Sequence, residues 1–144
     1  MDEARACFEK AIALKQDFAN GYLNLSYILV QQKKFAESIR VSEAGLRACG
    51  DNAPMYFNLA VAYAGMGRID DEERVLHQGL ALNPGNFLAH ICLGEIYARR
   101  TKYEAAVREY QIATKLAPED KRASQKMTQI MSRTHVLAGG NVKM

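Results

Sequence analysis

The sequence predicts an all-α chain of antiparallel helix-turn-helix repeats, and three observations carry that prediction. Residues recur with a period of 34: Leu25, Leu59 and Leu93; Tyr22, Tyr56 and His90; Leu29, Tyr63 and Tyr97; Phe35, Ile69 and Tyr103. A fixed period of this kind marks stacked repeats, in which no single unit buries its apolar face alone. Within each period the apolar residues stand at helical spacing, as in Tyr22, Leu25 and Leu29 followed by Phe35, Ile39 and Leu46, which describes two amphipathic helices. The helices are separated only by Gln32-Lys33-Lys34, Met66-Gly67-Arg68 and Arg100-Thr101-Lys102. Joints so short leave room for nothing but an antiparallel turn.

Taken from the N-terminus, the register places Ala4, Phe8, Ala11 and Leu14 in the positions of Ala106, Tyr110, Ala113 and Leu116. Residues 1–18 are therefore expected to hold the second helix of a truncated repeat. Three full repeats follow at residues 19–52, 53–86 and 87–120. Gly50, Pro84 and Pro118 close them, ahead of the turn formers Asp51-Asn52, Gly85-Asn86 and Glu119-Asp120, which fix φ or hydrogen-bond the local backbone. Pro54 falls in a first helical turn, where its missing N–H breaks no bond. Residues 121–136 supply one more helix, with Ala123, Met127, Ile130 and Met131 in a single apolar stripe, and such a helix caps a solenoid end. Residues 137–144, with Gly139 and Gly140, are expected to fray.

The positions where helices should cross at short range carry small residues, with one exception. Gly45 and Gly79 take the place of Ala113, and Ser38 and Glu72 the place of Ala106. Each glycine costs up to about 1 kcal/mol of helix propensity against alanine, so close packing is the expected reason for it. A buried carboxylate without a partner is expensive. Glu72 is thus expected to reach water through a rotated or shifted helix, the alternative being a buried pair.

These residues resemble the tetratricopeptide repeat family, best over residues 87–120, where Leu93-Gly94, Tyr97, Tyr103, Ala106, Tyr110, Ala113 and Pro118 stand as the family has them and His90 replaces a large aromatic. The resemblance covers residues 2–136 and implies a right-handed superhelical solenoid with a concave surface lined by the first helices. It implies that Leu23, Tyr27 and Val30, then Phe57, Val61 and Ala64, then Ile91, Glu95 and Arg99 face a partner: an extended or helical segment of another protein, anchored by apolar contacts and ending near charge. Asn24 and Asn58 resemble the asparagine ladder in the repeat domain of O-linked N-acetylglucosamine transferase, which Cys92 interrupts at the third rung. They are either peptide-binding amides, each with a donor and an acceptor, or structural ones. The carboxylate clamp of some relatives is not expected, because Leu23, Tyr27, Leu88 and Cys92 stand where it needs basic or amide groups and Asn58 alone agrees.

Composition narrows the alternatives. The 144 residues are 49% hydrophobic, enough for a continuous core. Cys7, Cys49 and Cys92, three in number and widely spaced, suit reduced thiols rather than a disulfide or zinc framework. A net charge of +3 is too small to expect nucleic acid. From Lys121 onward, however, Lys121, Arg122, Lys126, Arg133 and Lys143 face no acid, so Arg122, Lys126 and Arg133 form a candidate patch for an anionic partner. The N-terminus lacks a secretory pattern, no run reaches membrane length, and a cytoplasmic protein without membrane association is expected. His77, His90 and His135 lie on different elements with no carboxylate or cysteine at ligand spacing, and no glycine-rich phosphate loop occurs, so no catalytic site, metal or cofactor is expected. The main rival is self-assembly through the incomplete first repeat, whose Phe8, Ala11 and Leu14 need a cover. Another is service as the repeat domain of a longer protein such as a glycosyltransferase.

Overall fold

The computed structural model describes residues 2–14 and 19–142, with the side chains of Ala11, Leu14 and residues 136–142 outside the description. Among the described residues there are eight helices and no strand. The chain divides into two compact units, Met1–Pro84 and Gly85–Met144. The first unit contains α1 (Asp2–Leu14), α2 (Ala19–Gln31), α3 (Phe35–Cys49), α4 (Ala53–Gly65) and α5 (Ile69–Leu82). The second contains α6 (Phe87–Arg99), α7 (Tyr103–Leu116) and α8 (Arg122–Val142).

The period is visible in the turns as much as in the core. Lys33, Gly67 and Thr101, 34 apart, all take the left-handed conformation, with φ of 59°, 71° and 60°. In each joint the next amide reaches back over a full turn: Lys34 N–H donates to Leu29 O at 2.8 Å, Arg68 to Tyr63 O at 2.9 Å and Lys102 to Tyr97 O at 2.9 Å. This is a six-residue C-terminal closure that consumes helix-end carbonyls. Only Gly67 adopts it without steric cost; a non-glycine residue there gives up about 1–2 kcal/mol. At the other end, Asn52 accepts from Met55 N–H and Asn86 from Ala89 N–H, both at 3.1 Å. Each thereby satisfies a donor the helix cannot pair internally.

Leu25, Leu59 and Leu93 are all buried, as are Tyr22, Tyr56 and His90. In the first unit α2 packs on α3, α3 on α4, α4 on α5 and α2 on α4, with α1 against α2. Arg5 of α1 adds a polar tie, reaching Glu37 of α3 at 2.7 Å. The close crossings expected at the glycines are present. A Cβ on Gly45 would lie 2.7 Å from Tyr22 Cβ, and one on Gly79 would lie 2.6 Å from Phe57 Cε1. In the second unit Ile91, Ala106, Tyr110, Ala113, Ala123 and Ile130 form the core, with Phe87, Tyr97, Tyr103, Val107 and Met127 packed around it.

The expectation for Glu72 is overturned: it is buried, 7% exposed, and it is not without a partner. It lies on the same helix face as Val75, Leu76 and Gly79, all buried. Rotating α5 to expose one carboxylate would have lifted three apolar contacts out of the core, and burial of a Val or Leu side chain is worth about 1.5–3 kcal/mol. At the C-terminal end α8 runs past the expected boundary at residue 136 to Val142, through Gly139 and Gly140, while residues 143 and 144 of the expected tail lie outside the described residues. No proline interrupts that stretch, and each glycine weakens a helix by only about 1 kcal/mol. None of the three cysteines forms a disulfide.

Candidate functional site

In the first unit the candidate residues separate into exposed and structural groups. Tyr27 on α2 and Val61 on α4 are 55% and 51% exposed, though both are large and apolar. They are register equivalents, and the helices that carry them are bound together. Asn58 Nδ2 of α4 donates to Ser26 Oγ at 2.8 Å and to Leu23 O at 3.3 Å on α2. Both N–H groups of the Asn58 amide are thereby occupied within the fold, whereas Asn24 faces solvent. Phe57 is half-buried with its ring on Gly79, so it holds α4 to α5. Leu23 and Val30 are half-buried beside Tyr27, and Ala64 is exposed beside Val61.

The second unit carries the charged residues. Lys126 Nζ of α8 stands 2.6 Å from Glu95 Oε1 of α6. The pair lies in a cleft of about 270 Å³ that Arg99, Gln129 and Arg133 border and the Tyr110 side chain lines. Burial pushes the Tyr110 phenol up to about 12, with the charges of Glu95 and Cys92 adding to the shift. Ile91 is placed differently from Glu95 and Arg99: it is 6% exposed and belongs to the core.

Arg122 is also committed within the unit. Its Nη2 is 2.5 Å from Asp120 Oδ2, its Nε is 3.0 Å from Asp120 Oδ1, and its guanidinium lies over the Phe87 ring at 5.8 Å. The bidentate pair holds the Asp120 carboxyl down at about 2. Of the three cations in the expected anionic-partner patch, Lys126 and Arg133 share the cleft with Arg99, while Arg122 is held by its own helix start.

Two features escaped the sequence reasoning. His90 Nδ1 lies 2.7 Å from Glu109 Oε2 across the α6–α7 hairpin, both side chains being largely buried. The signal was present in the repeat. The pairs Tyr22 with Val41 and Tyr56 with Val75 become His90 with Glu109 one period on, a double exchange of an apolar pair for a polar one. The second feature is a hollow of about 910 Å³ beside the start of α7, lined by Tyr103, Val107, Ile130 and Met131 among others. His77 lies 3.8 Å from Glu73 on the surface of α5, and His135 is exposed. Among the described residues no three His, Cys, Asp or Glu side chains are grouped to hold a metal ion. No helix among them is long and apolar enough to cross a membrane.

Comparison with known proteins agrees with this architecture. The family model described as tetratricopeptide repeat matches residues 1–54 and 57–121. Anaphase-promoting complex subunit 3 of Schizosaccharomyces pombe is 23% identical over 133 residues, 92% of this chain and 20% of that protein. The chain spans a fifth or less of the length of the curated relatives it matches. Among solved structures, that of MamA superimposes with a TM-score of 0.85 at 18% identity, covering 93% of this chain and 78% of MamA. The first TPR domain of Spaghetti (RPAP3), bound to the HSP90 peptide SRMEEVD, gives a TM-score of 0.76 at 22% identity, covering 83% of this chain and 94% of that one. At these identities the structural likenesses show the fold.

Proposed function

The chain belongs to the tetratricopeptide repeat family, and from that premise we propose that it is a protein-interaction module that holds a segment of a partner protein on the exposed faces of its first helices. The observation that carries the reading is the pair Tyr27 and Val61, large apolar side chains left more than half exposed at equivalent positions of α2 and α4. Exposed apolar residues scattered singly are ordinary, but a repeated pair on linked helices makes a surface that a partner can dry. Tyrosine is among the residues that carry most binding energy at such surfaces. Leu23, Asn24 and Ala64 flank the pair. Phe57 and Asn58 support it from behind. The peptide bound to the RPAP3 domain of the same fold supports this class of function without naming a partner.

The test is affinity capture with the wild-type protein beside a Tyr27→Ala, Val61→Ala double variant whose helical circular dichroism is unchanged. Proteins retained by the wild type and lost from the variant are the expected result. An identical set on both would end the proposal for this face. Light scattering on the same samples reads self-association directly, and a mass that grows with concentration and falls in the variant would replace the partner by a second copy.

A further inference from the structure

The helices α1 and α8 each carry one half of a hairpin. In register α8 is a first helix, with Met127 and Met131 standing where Leu93 and Tyr97 stand one period earlier. Where a second helix follows, the later of these positions is covered: Leu29 is 1% and Tyr63 2% exposed, and Tyr97 is half-buried, whereas Met131 is 56% exposed. Beside Met131 lies the hollow of about 910 Å³ between α7 and α8, which Tyr103, Val107 and Ile130 also line. No turn brings the chain back into that space at the period. Residues 134–136 correspond to the joints at 32–34, 66–68 and 100–102, yet α8 runs through them as helix to Val142. The deficit of α1 is the opposite one. It packs on α2 as α3 packs on α4 and α7 on α8, the contact of a second helix with the next first helix. Its other face lacks cover: Ala4 is exposed where Ser38, Glu72 and Ala106 are buried, and Phe8 is half-buried where Ser42, Leu76 and Tyr110 are buried.

We propose that α1 of a second copy of this chain docks in the hollow between α7 and α8, so that α8 and the incoming α1 complete one composite repeat. The hollow calls for a helix with the register of a second helix and no first helix of its own, and α1 is the described element with both properties. Phe8 of the incoming helix then comes to the face made by Met127, Thr128 and Met131, the place that the Tyr110 ring takes over Gly94 in the preceding repeat. Methionine side chains are pliable enough to close around a ring they were not cut to fit, and they favour contact with aromatic faces. Charge agrees with the pairing. Short joints set the start of a second helix beside the end of the first, so the acidic first turn of α1, Asp2 and Glu3, comes beside Arg133, exposed on a helix that contains no acid. Such a contact is heterologous, one surface of each copy against a different surface of the next, so every pair keeps one free α1 and one free α8 and association continues. The contact leaves Tyr27 and Val61 unused and stands apart from the partner-binding reading above.

The experiment is light scattering on the full chain over a range of concentrations, with two single variants and their mixture. The wild-type mass is expected to rise with concentration past twice that of one chain. Ala4→Arg spoils the docking face of α1 and Met131→Glu that of α8. Both side chains are exposed, so circular dichroism is expected to show unchanged helix, and each variant alone is expected to stay at the mass of one chain. Mixed in equal amounts they are expected to form a pair of twice that mass and no more, because the intact α8 of one and the intact α1 of the other make a single sound contact. A wild type that keeps the mass of one chain at every concentration, assembly that persists in either variant alone, or a mixture that stays at the mass of one chain would each overturn the inference. Tyr27→Ala with Val61→Ala is expected to leave the rise in mass unchanged, and its loss there would overturn the composite repeat in favour of the apolar face. Failure of the one surface and failure of the other are therefore read separately.

Discussion

Where α2 crosses α3, three opposed positions are Ser26, Ser38 and Ser42; where α6 crosses α7, the same positions are Gly94, Ala106 and Tyr110. All six are buried. The serine crossing is held by directed bonds. Ser38 Oγ donates to Ser26 O at 2.9 Å, Ser26 Oγ donates to Leu23 O at 2.8 Å, and the same Ser26 hydroxyl accepts from Asn58. The other crossing is held by volume, the Tyr110 ring lying over Gly94 where even a Cβ would collide with it. A single backbone arrangement thus accepts two chemistries. The bonded version asks for geometry, and the packed version asks for one large residue facing one absent side chain.

That contrast can be broken most severely at the ring. Tyr110→Ala is expected to destabilise the second unit by about 3–5 kcal/mol, the cost of emptying a packed aromatic site. The equivalent Ser42→Ala is expected to be neutral or slightly stabilising, because the buried Ser42 Oγ finds no hydrogen-bond partner among the described residues. Urea denaturation of both variants, with hydrogen exchange to locate the loss, checks the pair, and equal losses would remove the distinction. Gly94→Ala comes next. The added methyl must displace Tyr110, at about 1–3 kcal/mol for overpacking, against a propensity gain of about 1 kcal/mol, and a rise in stability would show that the ring has room to move.

Ser26→Ala tests the bonded version and is expected to cost about 1–2 kcal/mol, since Asn58 loses its shorter acceptor while remaining half-buried. A loss confined to exchange at α2 and α4 would identify the bond as the cause. The smallest effect is electrostatic and belongs to the second unit. Asp120 is held at about 2 by the Arg122 hydrogen bonds, below the ordinary carboxyl value of about 3.9. Its contribution is therefore complete above about pH 4 and is lost as pH falls through about 2. Asp120→Asn should flatten the acid limb of the stability curve in that window, and an unchanged limb would show that the pair contributes nothing.

Much of the molecule was legible without coordinates. The 34-residue period, the helix pairs, the short joints and the close crossings at Gly45 and Gly79 all followed from spacing and side-chain size. The His90–Glu109 pair, by contrast, was encoded as a joint departure from the Tyr–Val pattern and went unread. The candidate site was legible only in part. The family resemblance implies which side of its own helix a residue occupies, and Tyr27, Val61 and Arg99 are exposed and Glu95 half-exposed. It does not say how far a neighbouring helix reaches, and so it did not anticipate Ile91 in the core, Phe57 over Gly79, or Arg122 closed on Asp120.

The amino-acid order by itself determined the repeat, because a helix forms wherever apolar residues recur with its own pitch and stops where turn residues and short joints forbid its continuation. Tertiary packing alone decided where individual charges and amides went. Glu72 was carried into the interior by the apolar face it shares with Val75 and Leu76, since a helix turns as one body and the larger burial prevails. Asn58 was drawn to Leu23 and Ser26, and Glu95 to Lys126, because distances of 2.6 to 3.3 Å between separate helices are set by how those helices stack, which local sequence does not specify.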